Sequence, residues 1–465
     1  MPYASLRERS AVLIGRVAGA ATRRLGRGGG TALPGLVASR IAPGLLSTFA
    51  RALADGVVTV TGTNGKTTTA HLLTAIARAD GREVVANDSG SNMERGLVSM
   101  FVDASGSNGA HRLGVLEIDE AELPRLYSRL RPRVAVFLNL FRDQLDRYGE
   151  VDSVAEGWAS ALAAADAGST ETTLVLNADD PSVARLAVHS GGPVVTFGVD
   201  DPAAALPGRE HAADARFCAC GARFEYSAVH MGHVGHWRCP ACGEARAAPD
   251  VSARRIVLQA DRTEVDFTIA GEPCRLTLPL AGLYSVYNAL AAAAAAHALG
   301  IAADVITASL AQAAPAFGRQ EEFALDGRTV RMWLAKNPTG LNEVLRALVA
   351  AGPSLCLLVL LNDGIQDGRD VSWIYDADVE RLTPLAPSVV CSGDRAADLG
   401  LRFALAGIEP ALVEPDAERA LDAALARTPA GGRLEVVPTY TAMLHMRELL
   451  ARRTGVASYW EDTRT

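Results

Sequence analysis

The chain is predicted to be an α/β protein with two sheet-based domains, and three observations carry that prediction. Short β-branched apolar runs alternate with helical patterns from Val57 to about Gly300; the first run empties into a glycine loop that opens a helix; and a second alternating region begins near Phe317. Alternation of this kind implies a mainly parallel sheet with helices on both faces.

The buried-strand candidates of the first region are Val57–Thr61, Gly114–Ile118, Val134–Asn139, Thr173–Asn177 and Val194–Gly198. Helices are expected at Lys66–Ala79, Val154–Ala165 and Tyr284–Leu299. In the second region the runs Val330–Ala335, Leu355–Leu361, Ser388–Gly393 and Leu434–Pro438 predict a smaller Rossmann-like α/β domain. The expected division is a basic helical segment over 1–50, a central ATP-binding domain over 51–315 with a cysteine-rich insertion over 213–249, and a C-terminal domain over 316–465.

With 465 residues, 49% hydrophobic and 21% charged, the chain has ample material for large cores and is not disordered. A net charge of −8 argues against a nucleic-acid partner. No apolar run is long enough to span a bilayer, and no secretory cleavage pattern follows the apolar stretch before Arg16, so a cytoplasmic protein is expected. Eight arginines against the single acid Glu8 make residues 1–51 basic. An ordinary amphipathic helix and weak attraction to an anionic membrane face both fit that pattern.

Among the 45 basic residues only Lys66 and Lys336 are lysines. A composition that replaces lysine by arginine wherever surface charge suffices retains lysine where a compact ammonium is needed. Lys66 lies in the loop Gly62-Thr63-Asn64-Gly65-Lys66-Thr67-Thr68, which is shorter than the general phosphate loop, whose first glycine would stand at Val60. Gly62 and Gly65 let backbone N–H groups approach phosphate oxygens, Lys66 reaches the β and γ positions, and the Thr67 hydroxyl can hold Mg²⁺. The strand ending in Glu117 delivers a carboxylate beside that loop, a candidate second magnesium ligand. For Asp119 and Glu120, solvated charge at a strand end is an equally good account.

Taken in order, this short loop, the segments Asn139–Glu150 and Asn177–Pro181, Gly282–Ala292 and Phe317–Phe323 resemble the ATP-dependent Mur ligase family. The resemblance implies a Mur-ligase-type central domain, activation of a carboxylate as an acyl phosphate, and attack by an amine. It also implies that Lys66 and Thr67 hold the triphosphate and magnesium, that Glu117 binds magnesium, that Asn288 and Asp179 face adenine and ribose, and that Arg319 reaches the phosphates. Two departures stand out: Gln144 replaces the usual histidine, and no lysine follows Tyr148. The loop also comes after only about sixty residues, too few for a separate domain that binds a UDP-linked precursor.

The segments Lys336–Leu345, Asn362–Asp376 and Pro438–Leu449, after a cysteine insertion, resemble the MurT-type branch of that family, the synthetase subunits of lipid II isoglutaminyl synthase. That resemblance implies amidation of the D-glutamate α-carboxylate of lipid II at the inner membrane face, with ammonia from a GatD-type glutaminase subunit in a heterodimer. It further implies that the synthetase lends the glutaminase a carboxylate; of Asp367, Asp370 and Asp376, Asp370 is chosen because it directly precedes Val371-Ser372-Trp373. Cys356 and Cys391 lie in strand patterns and do not look like nucleophiles, consistent with ammonia made elsewhere.

Cys239 and Cys242 have the spacing of a zinc knuckle, whereas Cys218 and Cys220 are one residue closer than usual, so His230, His233 or His236 stays open as a fourth ligand. A folylpolyglutamate-synthetase-like or other Mur-type amino-acid ligase, and an inactive nucleotide-binding scaffold, are the competing functions.

Overall fold

In the computed structural model the described residues are 5–24, 32–87, 91–105, 113–143, 151–166, 172–208, 214–350, 352, 355–385 and 387–456. Three helices, Leu6–Arg24, Leu33–Ile41 and Leu45–Ala52, come first and pack on a fourth, Glu94–Ala104. The contact is close because Gly35 has no side chain. A Cβ there would sit 1.9 Å from the Arg95 carbonyl, and the Gly35 N–H donates to Ser99 Oγ at 2.7 Å. Phe49 stacks on Phe101 beside it.

The central domain contains β1 (Gly56–Thr61), β2 (Val84–Ala86), β3 (Leu113–Glu117), β4 (Val134–Phe137), β5 (Thr173–Asn177), β6 (Val194–Val199), β7 (Glu225–Met231), β8 (Val234–Arg238), β9 (Val251–Leu258), β10 (Thr263–Ile269) and β11 (Glu272–Leu278). Nine of them form one sheet in the order β11-β10-β9-β6-β5-β4-β1-β3-β2. Strands from β2 to β9 pair in parallel, and β10 and β11 extend the edge antiparallel. Val57 packs into the core beneath the helices Glu94–Ala104 and Val151–Asp166, while Val58 and Val60 pack beneath Lys66–Ala79 and Leu283–Ala298. Both faces are buried, which is why these strands read as continuous apolar runs. The antiparallel edge has no such signature: β10 alternates buried apolar residues with Glu264 and Asp266, the pattern of a half-covered ribbon.

Strands β6 and β9 are neighbours, and the chain between them forms the cysteine-rich insertion, built on the β7–β8 hairpin. Trp237 anchors it to the central domain, its Nε1–H donating to the Ala178 carbonyl at 3.0 Å.

The C-terminal domain has β12 (Glu321–Leu325), β13 (Arg328–Met332), β14 (Cys356–Leu360), β15 (Ser388–Ser392), β16 (Leu412–Val413) and β17 (Arg433–Pro438), in the order β12-β13-β17-β14-β15-β16. All its pairings are parallel except β12 with β13. The apolar run expected to reach Ala335 leaves regular pairing after Met332; Trp333 and Ala335 still donate to Val436 and Pro438, and the chain then enters the interdomain cleft.

Candidate active site and metal centre

In the central sheet, β1 lies between β3 and β4, so the chain diverges on either side of its carboxyl end, where ligands of parallel sheets bind. The glycine loop sits at that point. Gly62 has φ +139° and Gly65 has φ +88°. A Cβ on Gly65 would lie 2.1 Å from Asn288 Oδ1, and one on Gly62 would lie 2.9 Å from the Asn139 carbonyl. Both conformation and space therefore demand glycine. The helix Lys66–Ala79 starts directly after Gly65, and its first turn supplies N–H groups without intrahelical partners.

The loop is tied on both sides. Thr63 Oγ1 donates to the Phe141 carbonyl at 3.0 Å and accepts from the Phe141 N–H, and the Thr63 N–H donates to the Asn139 carbonyl at 3.0 Å, so side chain and main chain both hold the loop in place. Asn139 clamps the main chain of Asn64 through its Oδ1 and Nδ2. The Asn64 side chain meets Asn337 of the C-terminal domain, at 3.0 Å from Asn337 Nδ2 to Asn64 Oδ1. The phosphate loop is thereby linked directly to the second domain.

A cleft of about 810 Å³ runs between the two domains. Lys66, Thr67 and Thr68 of the loop helix, Glu117, Asn288 and Arg319 all line it. With Thr63, Asn64 and Gly65 beside them, nine of the residues expected at a nucleotide site thus converge there. Asp179 does not. It is fully enclosed, accepting from Arg246 Nε at 2.5 Å, Tyr287 Oη at 2.7 Å and the Val199 N–H at 2.8 Å. The expected ribose contact is therefore corrected: Asp179 pins the cysteine-rich insertion to the central domain, and Tyr287, which it holds, is what reaches the cleft wall. Gln144 and Tyr148 lie outside the described residues.

Both lysines of the chain line the cleft. Lys66 Nζ donates to Glu120 Oε2 at 2.8 Å and to the Gly62 carbonyl at 2.5 Å. Lys336, from the C-terminal domain, donates to Asp143 Oδ2 of the central domain. Burial by itself would raise the Glu120 carboxyl, but the ammoniums of Lys66 and Lys336 outweigh it and hold the group below its ordinary value. Burial pushes Asp143 up against the opposing pull of Lys336. For Lys336 burial is overcome by Asp143 and Glu120, which raise its pKa and keep it charged. Glu120 and Asp119, ambiguous in the sequence, are buried at 3% and 7% exposure, so neither is a solvated strand-end charge. Asp143 and Asn139 went unassigned by sequence reasoning, although both fall in the segment beginning at Asn139; lysine scarcity was the one local signal for Lys336.

The donor set suits magnesium: the Glu117 carboxylate and Thr67 hydroxyl face the same cleft, and this hard cation takes few protein oxygens, with phosphate oxygens and water completing its shell. Asn87 brackets the Glu117 main chain, accepting its N–H at 2.8 Å and donating to its carbonyl at 2.9 Å.

In the insertion the four Sγ atoms of Cys218, Cys220, Cys239 and Cys242 lie within 4.8 Å of one another. Cys218 and Cys242 are 3.6 Å apart and Cys220 and Cys239 3.5 Å. Tetrahedral zinc thiolates at about 2.3 Å from the metal place sulfurs roughly 3.8 Å apart, so the cluster fits Zn²⁺. The Cys242 backbone N–H holds the Cys239 thiol down at about 6, whereas burial pushes Cys218 up to about 12. The three histidines are placed elsewhere: His236 Nε2 contacts the Val199 carbonyl at 2.8 Å, His233 stands 3.4 Å from Asp180, and His230 is fully buried against Tyr287.

The three candidate acids after β14 separate by environment. Asp367 is buried and accepts from the N–H and hydroxyl of Thr441, capping the helix Tyr440–Thr454. Asp376 pairs with Arg142 at 3.3 Å. Asp370 is exposed, and hydrogen bonds from Ser372 hold its carboxyl below the ordinary range.

A phosphate loop at a sheet switch point, facing a second α/β domain across a cleft of basic and acidic groups, defines a ligase of the Mur type, and the comparisons agree. Residues 60–238 match the Mur ligase middle domain and residues 334–443 the MurT ligase C-terminal domain. A pseudomurein peptide ligase type C from Methanothermus fervidus superposes with TM-score 0.64 over 85% of this chain and 78% of that one, at 23% identity. The lipid II isoglutaminyl synthase (glutamine-hydrolyzing) subunit MurT of Staphylococcus aureus is 32% identical over 96% of this chain and 98% of its own length. The subunit of the same name from Streptococcus pneumoniae is 31% identical over 95% and 96%. The chain belongs to the MurT family of ATP-dependent Mur ligases.

Proposed function

We propose that this chain is the synthetase half of a glutamine-dependent amidotransferase that converts the D-glutamate α-carboxylate of the lipid II stem peptide to the amide of D-isoglutamine. The similarity to the S. aureus and S. pneumoniae subunits of a glutamine-hydrolyzing lipid II isoglutaminyl synthase supports the substrate and the glutamine requirement. The observation that carries the reaction type is the convergence of Lys66, Arg319 and Lys336 with Glu117 in one interdomain cleft.

In this reading the carboxylate oxygen attacks the γ-phosphorus of ATP, releasing ADP and leaving an acyl phosphate. Ammonia then attacks the acyl carbon, the C–O bond to phosphate breaks, and the nitrogen sheds a proton to solvent. Bound Mg²⁺ supplies charge neutralisation for the phosphoryl group. Lys66 and the helix N–H groups hold the phosphates, Thr67 and Glu117 hold the cation, Asn288 faces the base, and Arg319 brings a second positive charge from the domain junction. Zinc on the four cysteines has a structural role, since four protein ligands leave no open position.

The chain's own cysteines favour an external ammonia source. Four form the sulfur cluster, Cys356 and Cys391 are buried in strands with Cys391 pushed up to about 12 by burial, and Cys274 is raised by burial on an edge strand. Neither Cys391 nor Cys274 has the depressed pKa of a glutaminase nucleophile. A GatD-type glutaminase partner therefore completes the proposal. Asp370 is the acid offered to it, flanked by the exposed side chains Ile365 and Tyr375.

Incubation with ATP, Mg²⁺, ammonium and lipid II tests the reading by mass spectrometry of the stem peptide. Amidation with stoichiometric ADP is expected. Addition of an amino acid instead identifies a ligase of folylpolyglutamate or Mur type, and no ATP turnover identifies a scaffold.

A further inference from the structure

The helix Leu6–Arg24 has two apolar faces. Ala11, Val12, Gly15 and Gly19 face the protein, with Gly15 so close to the neighbouring helix that a Cβ would stand 3.0 Å from the Pro34 carbonyl. On the opposite side Leu6 is 80% exposed, Leu13 63% and Val17 63%, with Ile14 at 46%. At 3.6 residues per turn, Leu6, Leu13 and Val17 fall within about 40° of one another. Arg9 and Arg16 run along one border of this stripe, and Arg7 lies across it on the other, all three exposed. Among the described residues no other helix exposes four large aliphatic side chains.

We propose that this face docks on an anionic lipid bilayer, with the helix lying in the plane of the interface. An apolar stripe bordered by arginines is the pattern of an interfacial helix, whose side chains enter the acyl boundary while guanidiniums meet headgroup phosphates. Charge selects this occupant. Residues 1–51 hold eight arginines and the single acid Glu8, whose carboxylate is already engaged by the Thr48 hydroxyl at 2.6 Å, in a chain of net charge −8. A two-fold contact with a second copy would set Arg9 and Arg16 against their own copies. The helix is not long and apolar enough to cross a membrane, so it lies along one.

The position of the helix connects docking to the cleft. Its packing partner Leu33–Ile41 begins at the cleft mouth, where Ala32 and Leu33 line the opening, and Leu33 and Leu36 are themselves exposed. Docking therefore brings that mouth close to the membrane surface. This consequence rests on the proposed lipid-linked substrate; the docking itself does not.

The test is co-sedimentation of the full chain with vesicles of phosphatidylglycerol and phosphatidylcholine, and with phosphatidylcholine alone. Binding to the anionic vesicles, weakened by high salt, is expected. The double variant Leu13→Glu/Val17→Glu should lose at least about tenfold in vesicle partitioning while keeping its melting temperature and its turnover of detergent-dispersed lipid II. Arg9→Glu/Arg16→Glu should lose binding to the anionic vesicles specifically. The proposal is overturned if the wild-type chain ignores anionic vesicles or the Leu13→Glu/Val17→Glu variant binds undiminished. It is overturned equally if light scattering without lipid shows a dimer that this variant dissolves. No substrate is used in the vesicle assay, so a failure of the amidation reading leaves its outcome untouched.

Discussion

Lys66, on the wall of the interdomain cleft, meets the buried Glu120 behind it at 2.8 Å, with side-chain exposures of 8% and 5%. The other lysine, Lys336, reaches across from the C-terminal domain to Asp143. Two ammoniums and two carboxylates therefore balance one another, and an incoming polyphosphate competes with Glu120 for Lys66. The retention of lysine at these two positions follows from the space. Lys66 points one nitrogen at Gly62, Thr63 and Glu120 together, a convergence that a planar fork cannot reproduce.

Lys66→Ala should lower ammonium-driven amidation by about a hundredfold or more, and Lys66→Arg should do nearly as much harm. Steady-state ADP release measures both. An arginine variant with substantial turnover would contradict the steric argument.

Glu120 titrates below its ordinary 4.5 because Lys66 and Lys336 overcome the effect of burial. A carboxylate depressed on folding contributes stability that is fully present above the unfolded value and is lost as pH falls through the lower folded value. Glu120→Gln should cost about 1–3 kcal/mol near neutrality. Its melting-temperature gap to the wild type should close as the pH drops below about 4. A gap that stays constant through that range would show that Glu120 is not held ionised by the lysines.

Asp179→Asn weakens the buried contacts to Arg246, Tyr287 and Val199 while leaving Arg246 paired with Asp200 at 2.9 Å, for a stability loss of about 1–3 kcal/mol. Thermal denaturation should register this, with the KM for ATP little changed at temperatures where the variant is folded. A large rise in KM with unaltered stability would return Asp179 to the ribose site.

Metal analysis of protein purified without chelator should find one zinc per chain. Cys239→Ser and Cys218→Ser should each reduce occupancy and lower the melting temperature, because the sulfurs hold a segment with only four buried residues in its core cluster. Full occupancy in Cys218→Ser would point to a histidine ligand instead.

Asp370→Asn should suppress glutamine-driven amidation at least about tenfold and spare the ammonium-driven reaction, as expected for an acid that orients a partner's catalytic histidine. Asp367→Asn, which removes a helix cap, should lower stability and both activities together. Equal loss of both activities in Asp370→Asn would assign it to the ligase site or the fold.

What the sequence determined by itself was local. The loop Gly62–Thr68 was legible because its glycines have positive φ and follow a doubly buried strand, both properties of neighbouring residues. The helices Lys66–Ala79 and Leu283–Ala298 were legible for the same reason, and the cysteine spacing announced the sulfur cluster. Tertiary structure alone decided which charges meet. Glu120 lies 54 residues from Lys66 and Asp143 lies 193 from Lys336, so their pairing depends on how β3, β4 and the C-terminal domain close around the cleft. It also reassigned Asp179, whose segment reads as a polar loop after a strand but whose carboxylate is sealed beneath the cysteine-rich insertion. The cysteine-rich insertion followed the same logic. Spacing left a choice between cysteine and histidine, and the β7–β8 hairpin carries the histidines onto the central domain and leaves four sulfurs together, which supports the proposal of four cysteine ligands.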